Sequence, residues 1–102
     1  MEITMAEPVY ALLQVKVKDR KKMTAYVQGH LPSLMQYGGE LVLRGEGLAT
    51  VEGDWLPEIF VVQCWPSEAA FRQWHDSPEY RPWGKLRDEA CDITITLARV
   101  LG

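Results

Sequence analysis

The sequence predicts an α+β fold in the order β-α-β-β-α-β, and three observations carry that prediction. Val9 to Val17 places an apolar residue at every odd position, the period-2 pattern of a strand with a buried face. Met23, Tyr26, Val27, Leu31, Leu34 and Met35 recur at helical spacing. Ile59 to Trp65 is an almost unbroken apolar run, as expected of a strand covered on both sides. The chain has 102 residues, which fits one domain, expected over residues 9–102 behind a short acidic N-terminal extension, residues 1–8.

Each element has a local cause. In the first strand the even positions run from Tyr10 and Leu12 to Gln14 and Lys16, so its second face is dry at one end and wet at the other. Asp19 is a good N-cap for the first helix, and Gly38-Gly39 ends it, because glycine accepts the left-handed backbone of a helix terminus. Pro32 lacks an amide donor and predicts a kink or break inside that helix. Glu40 to Arg44 reads as a short second strand that resumes over Leu48 to Glu52 after a bulge or bend at Gly45-Glu46-Gly47. Residues 53–57 read as a loop, and Ile59 to Trp65 as the third strand. Ser67 caps a helix carrying Ala70, Phe71 and Trp74. Ser77-Pro78 predicts a new helical start, with Pro82 disturbing the piece that runs to Ala90. Ile93 to Val100 is the last strand.

This order is that of the ferredoxin-like split unit, an antiparallel four-stranded sheet with its helices on one face. The third strand carries Phe60, Val62 and Cys64 on one face and Ile59, Val61 and Trp65 on the other, interrupted only by Gln63. The helices can cover one face alone. Sheet-to-sheet packing of two copies is the economical cover for the other, so a homodimer is expected. Four tryptophans in so short a chain point the same way, since a small domain hides only about two-thirds of its unfolded surface.

Composition excludes several functions. A net charge of -3 argues against nucleic-acid binding. No apolar run is long enough to span a bilayer, so no membrane partner is expected, and nothing near Met1 resembles an export signal. Cys64 and Cys91 form neither a CxxC motif nor a disulfide framework, and a cytoplasmic location is the expectation. No metal-ligand spacing, nucleophile elbow, Walker loop or dinucleotide fingerprint occurs, so neither metal nor cofactor is expected.

Tyr37-Gly38-Gly39, Leu43-Arg44-Gly45, Val51-Glu52-Gly53-Asp54-Trp55, Trp65-Pro66-Ser67 and Asp76-Ser77-Pro78-Glu79-Tyr80, in this order, resemble the DUF1330 family of the dimeric α+β barrel superfamily. The resemblance spans about Val9 to Val100. It implies two ferredoxin-like subunits joined sheet to sheet, with a pocket between helices and sheet. The superfamily also includes cofactor-free monooxygenases, haem-degrading enzymes and lactone isomerases. His30, Ile59 and His75 depart from the family pattern.

Two residues stand out for catalysis. His30 lies on or beside the inward stripe of the first helix, and an imidazole can move protons near neutral pH. Its alternative is a structural bond to a backbone carbonyl at the proline kink. Arg44 is a permanent planar cation that could hold a carboxylate or enolate, or pair structurally with Glu52 or Asp54. Trp55, Trp74, Tyr80 and Trp83 are candidate ligand-binding residues for a flat apolar molecule, with core or dimer interface as the alternative. Three functions follow: a cofactor-free enzyme (proton transfer, isomerase or monooxygenase type) on a small carbonyl or phenolic metabolite; a non-catalytic ligand-binding or regulatory dimer; and a haem-handling protein using His30 or His75.

Overall fold

A computed structural model describes residues 7–100. The elements are β1 (Val9–Val17), α1 (Arg20–Gln36), β2 (Glu40–Glu46), β3 (Ile59–Trp65), α2 (Glu68–His75), α3 (Arg81–Ala90) and β4 (Cys91–Arg99). The strands form one antiparallel sheet in the order β2-β3-β1-β4, the ferredoxin-like topology. The second helical layer is divided into α2 and α3, one helix more than the six-element order predicts.

The alternation in β1 builds the core as expected. Val9, Ala11, Leu13 and Val15 are buried under the helices, together with Ile59 and Trp65 of β3. Phe60, Val62 and Cys64 point to the other face, where Tyr10, Leu12 and Gln14 are also only half-buried.

Asp19 caps α1 by accepting the Lys22 amide at 3.0 Å. Of the kink or break expected at Pro32, the break does not occur, and α1 runs uninterrupted through it. The proline removes one amide bond, while Ser33 Oγ–H ties down the His30 carbonyl at 2.7 Å in the same turn. Gly29 has a packing reason to be there, because a Cβ at this position would lie 2.1 Å from the Trp83 ring of α3. The helix ends as expected: Gly38 has φ 93°, its amide bonds the Met35 carbonyl at 3.0 Å, and the Gly39 amide bonds that of Leu34 at 2.9 Å.

The reading of β2 needs correction. The strand is continuous to Glu46, and its irregularity lies between Leu41 and Leu43, upstream of Gly45. Leu48 to Glu52 is not a strand but part of the long β2–β3 connection. β3 has only seven residues, and Glu40–Glu46 already occupies that edge. Ser67 caps α2 as expected, accepting the Ala70 amide at 3.0 Å. Ser77 does not cap α3. Its hydroxyl donates to the Trp74 carbonyl at 2.8 Å and accepts the Tyr80 amide at 3.1 Å, shaping the turn before it. Pro82 lies in the first turn of α3, where a missing amide costs nothing, so it does not disturb the helix. β4 starts at Cys91, two residues earlier than predicted.

Candidate functional site

Helix α1 and the helix-facing side of the sheet enclose a cavity of about 50 Å³. His30 of α1, Arg44 of β2 and Gln63 of β3 are the polar side chains at it, with Tyr26, Leu31 and Val61 among its other walls. His30 and Arg44, fourteen positions apart in sequence, thus border one space. The volume holds one or two waters.

His30 is buried, and its Nδ1 lies 2.8 Å from the Tyr26 carbonyl oxygen. A carbonyl only accepts, so Nδ1 carries the proton and Nε2 carries the lone pair. The ring stacks on Tyr26 at 4.3 Å with 4° between planes. Burial lowers the His30 pKa from its ordinary value, against the opposing effect of the backbone bond. The imidazole is therefore neutral at neutral pH, with one nitrogen committed to the helix and the other a base. The structural bond considered for His30 is present, but to Tyr26, whereas the carbonyl that Pro32 leaves unpaired is that of Gln28, four residues before it.

Arg44 stands on an edge strand and is exposed. Among the described residues it makes no ion pair, so Glu52 and Asp54 do not hold it. Exposed Leu41 lines the cavity beside it, which places the mouth at the β2 edge.

The four aromatic candidates do not form one pocket wall. Trp74 and Tyr80 are buried behind His30, with ring centres 4.0 Å apart, and neither borders the cavity. Trp74 Nε1–H donates to Ser33 Oγ at 3.0 Å. The Tyr80 hydroxyl lies 2.7 Å from that of Tyr26 and accepts from Arg87 Nη1 at 3.0 Å. Burial raises both tyrosine pKa values, keeping the pair protonated. Trp83 packs on Gly29. Trp55 is on the opposite face of the sheet, half-exposed and edge-on to Phe60 at 5.0 Å. His75 sits at the exposed end of α2, its Nδ1 3.7 Å from Asp76.

Sequence reasoning missed Tyr26 and Gln63. Tyr26 lies one turn before His30, so its stacking was within reach of helical geometry. Gln63 is 2 % exposed and is the lone polar residue in β3, a signal the sequence does carry.

Fold and cavity together define a ferredoxin-like α+β protein with a small polar-ended space between α1 and the sheet. The chain belongs to the family described as "Domain of unknown function (DUF1330)", whose model matches residues 8–101. No curated protein matches it. Among solved structures it is similar to the RPA0582 protein of unknown function from Rhodopseudomonas palustris, with TM-score 0.82 and 23% identity over 94% of this chain and 84% of that one. It is also similar to SnoaB, a cofactor-independent oxygenase from Streptomyces nogalater, with TM-score 0.68 and 15% identity over 95% of this chain and 96% of that one. A third likeness is to a dimeric ferredoxin-like protein of unknown function from Thermobifida fusca, with TM-score 0.67 and 14% identity over 96% and 95% of the two chains. Identities this low show the shared fold alone.

Proposed function

We propose that the protein binds a small carbonyl or phenolic molecule in the cavity beneath α1 and transfers a proton there without a cofactor. One observation carries this reading: a neutral buried imidazole whose Nε2 keeps its lone pair, and an arginine with no ion pair among the described residues, border the same space. His30 Nε2 takes a proton from an O–H or an acidic C–H of the ligand. The electron pair left behind rests on the ligand oxygen, where the Arg44 guanidinium offsets its charge. Reprotonation of that anion at another atom gives an isomerase outcome, and its oxidation by dioxygen gives a monooxygenase outcome. The likeness to SnoaB, a cofactor-independent oxygenase, supports keeping the second. The cavity must widen to admit a ligand. Leu41 and Arg44 can swing outward because they stand exposed on an edge strand.

The reading includes a homodimer formed by the helix-free sheet face. Half-buried Phe60, Val62, Tyr10 and Leu12 support it, as does the dimeric relative from Thermobifida fusca. A non-catalytic ligand-binding role is the second reading. It is favoured by the completeness of the His30 bonding at Nδ1 and by the small volume. Haem handling by His30 is disfavoured, since the 50 Å³ space would have to open far further for a macrocycle than the outward swing of Leu41 and Arg44 that a small ligand needs.

Proton NMR of enolisable ketones, lactones and phenols in D2O tests the choice. The enzyme reading expects faster loss of an acidic C–H signal with the wild-type protein, abolished in His30→Phe. Binding without accelerated exchange selects the second reading.

A further inference from the structure

We propose that Gln63 is a ligand-binding residue of this cavity, its amide N–H donating to the oxygen on which negative charge resides. The inference rests on the cavity being the ligand site, and adds the group that selects the ligand's oxygen. Gln63 is buried at the centre of the sheet, between Ala11 of β1 and Leu41 of β2. A buried amide must satisfy both ends or lose the free energy of the unmet one. Trp65 Nε1–H can only donate, and it lies 3.0 Å from Gln63 Oε1. That bond settles which way the amide is turned and commits its oxygen. Trp65 does not border the cavity, whereas Gln63 does. The NH2 end is therefore the one presented to the space shared with His30 and Arg44.

The cavity is thus polarised. It offers one acceptor, His30 Nε2, and two sets of donors, Gln63 Nε2–H and the Arg44 guanidinium. The matching ligand carries a proton for His30 and an oxygen that accepts from Gln63. A phenol or an enol fits this pattern. A plain amine or an alkane does not. Trp65 is itself wedged edge-on to Phe71 at 5.5 Å and is fully buried, so the amide is held by a side chain that cannot move aside. The donor is in place before the ligand arrives, which spares the ordering cost of binding.

The test is titration of the full-length protein with p-nitrophenol, followed by the side-chain amide protons in 1H–15N spectra and by the yellow phenolate band. At saturation one Gln63 Nε2–H should move downfield, and the bound probe should be phenolate at a pH where the free probe is mostly phenol. Gln63→Met keeps the shape and removes the donor, and with it the acceptor for Trp65 Nε1–H, so the variant's fold is checked by an unchanged environment of the Trp65 ring. It should weaken binding by about tenfold or more, the worth of a hydrogen bond to a charged oxygen. Equal affinity in Gln63→Met, with Arg44→Ala still weakened, would overturn the role of Gln63 and leave the cavity as the site. No shift of any cavity residue in the wild type would overturn both. Should Gln63→Met not fold, the wild-type amide decides: a resonance unmoved at saturation contradicts the proposal.

Discussion

At the scale of single residues, His30 is where position and titration meet. It was legible as a candidate because it sits near the inward stripe of α1, but its tautomer was not, since that depends on the Tyr26 carbonyl. Its depressed pKa sets a pH dependence of stability. The unfolded chain takes up a proton below about 6.5, the ordinary imidazole value, while the folded protein resists it. Stability is thus full above that pH and falls as the pH drops toward the folded pKa, by at most about 1.4 kcal/mol per unit. Urea denaturation between neutral pH and the onset of carboxylate titration should show this slope in the wild type and a flatter one in His30→Phe. Parallel curves would contradict a buried neutral imidazole. Arg44 was legible as a strand cation able to hold an anion, although the bend expected directly after it, at Gly45, is absent. Its freedom from Glu52 and Asp54 was not, because the course of the β2–β3 connection is written in no local pattern.

At the scale of elements, the strands were the most legible. β1 matches its predicted bounds residue for residue, because strict alternation leaves its register no choice. The errors share one cause, the overriding of a local signal by pairing or packing. Pro32 suggested a kink or break, yet α1 is not interrupted there, and Ser33 Oγ–H bonds the His30 carbonyl in the same turn. Gly29, inside α1, is the seat of the Trp83 ring. Gly29→Ala should therefore destabilise by about 1–3 kcal/mol through overpacking, outweighing the roughly 1 kcal/mol that alanine gains in helix propensity. A thermal melt decides the sign. Ser67→Ala removes the acceptor for the Ala70 amide and should cost about 1 kcal/mol in the same assay.

At the scale of the molecule, the tryptophans separate the questions of core and partner. Trp65 and Trp74 are buried by one copy alone, and Trp83 is half-buried between helices, leaving Trp55 on the bare side of the sheet. The dry second face of β3 was readable in the sequence, because alternation assigns Phe60, Val62 and Cys64 to it. Gln63 stood out as the lone polar residue of that strand; that its amide borders the cavity depends on α1 and β2 closing over it. Light scattering should give twice the 11.6 kDa chain mass. Val62→Lys, which puts a charge at the middle of that face, should give the monomer mass with helix content unchanged. The central claim is that the space beneath α1 is the ligand site. A map of p-nitrophenol-induced shifts in the wild-type protein tests it most directly. The prediction is that perturbations centre on His30, Leu31, Arg44 and Gln63; shifts confined instead to the open groove at Gln14, Lys16 and Asp92 would contradict it.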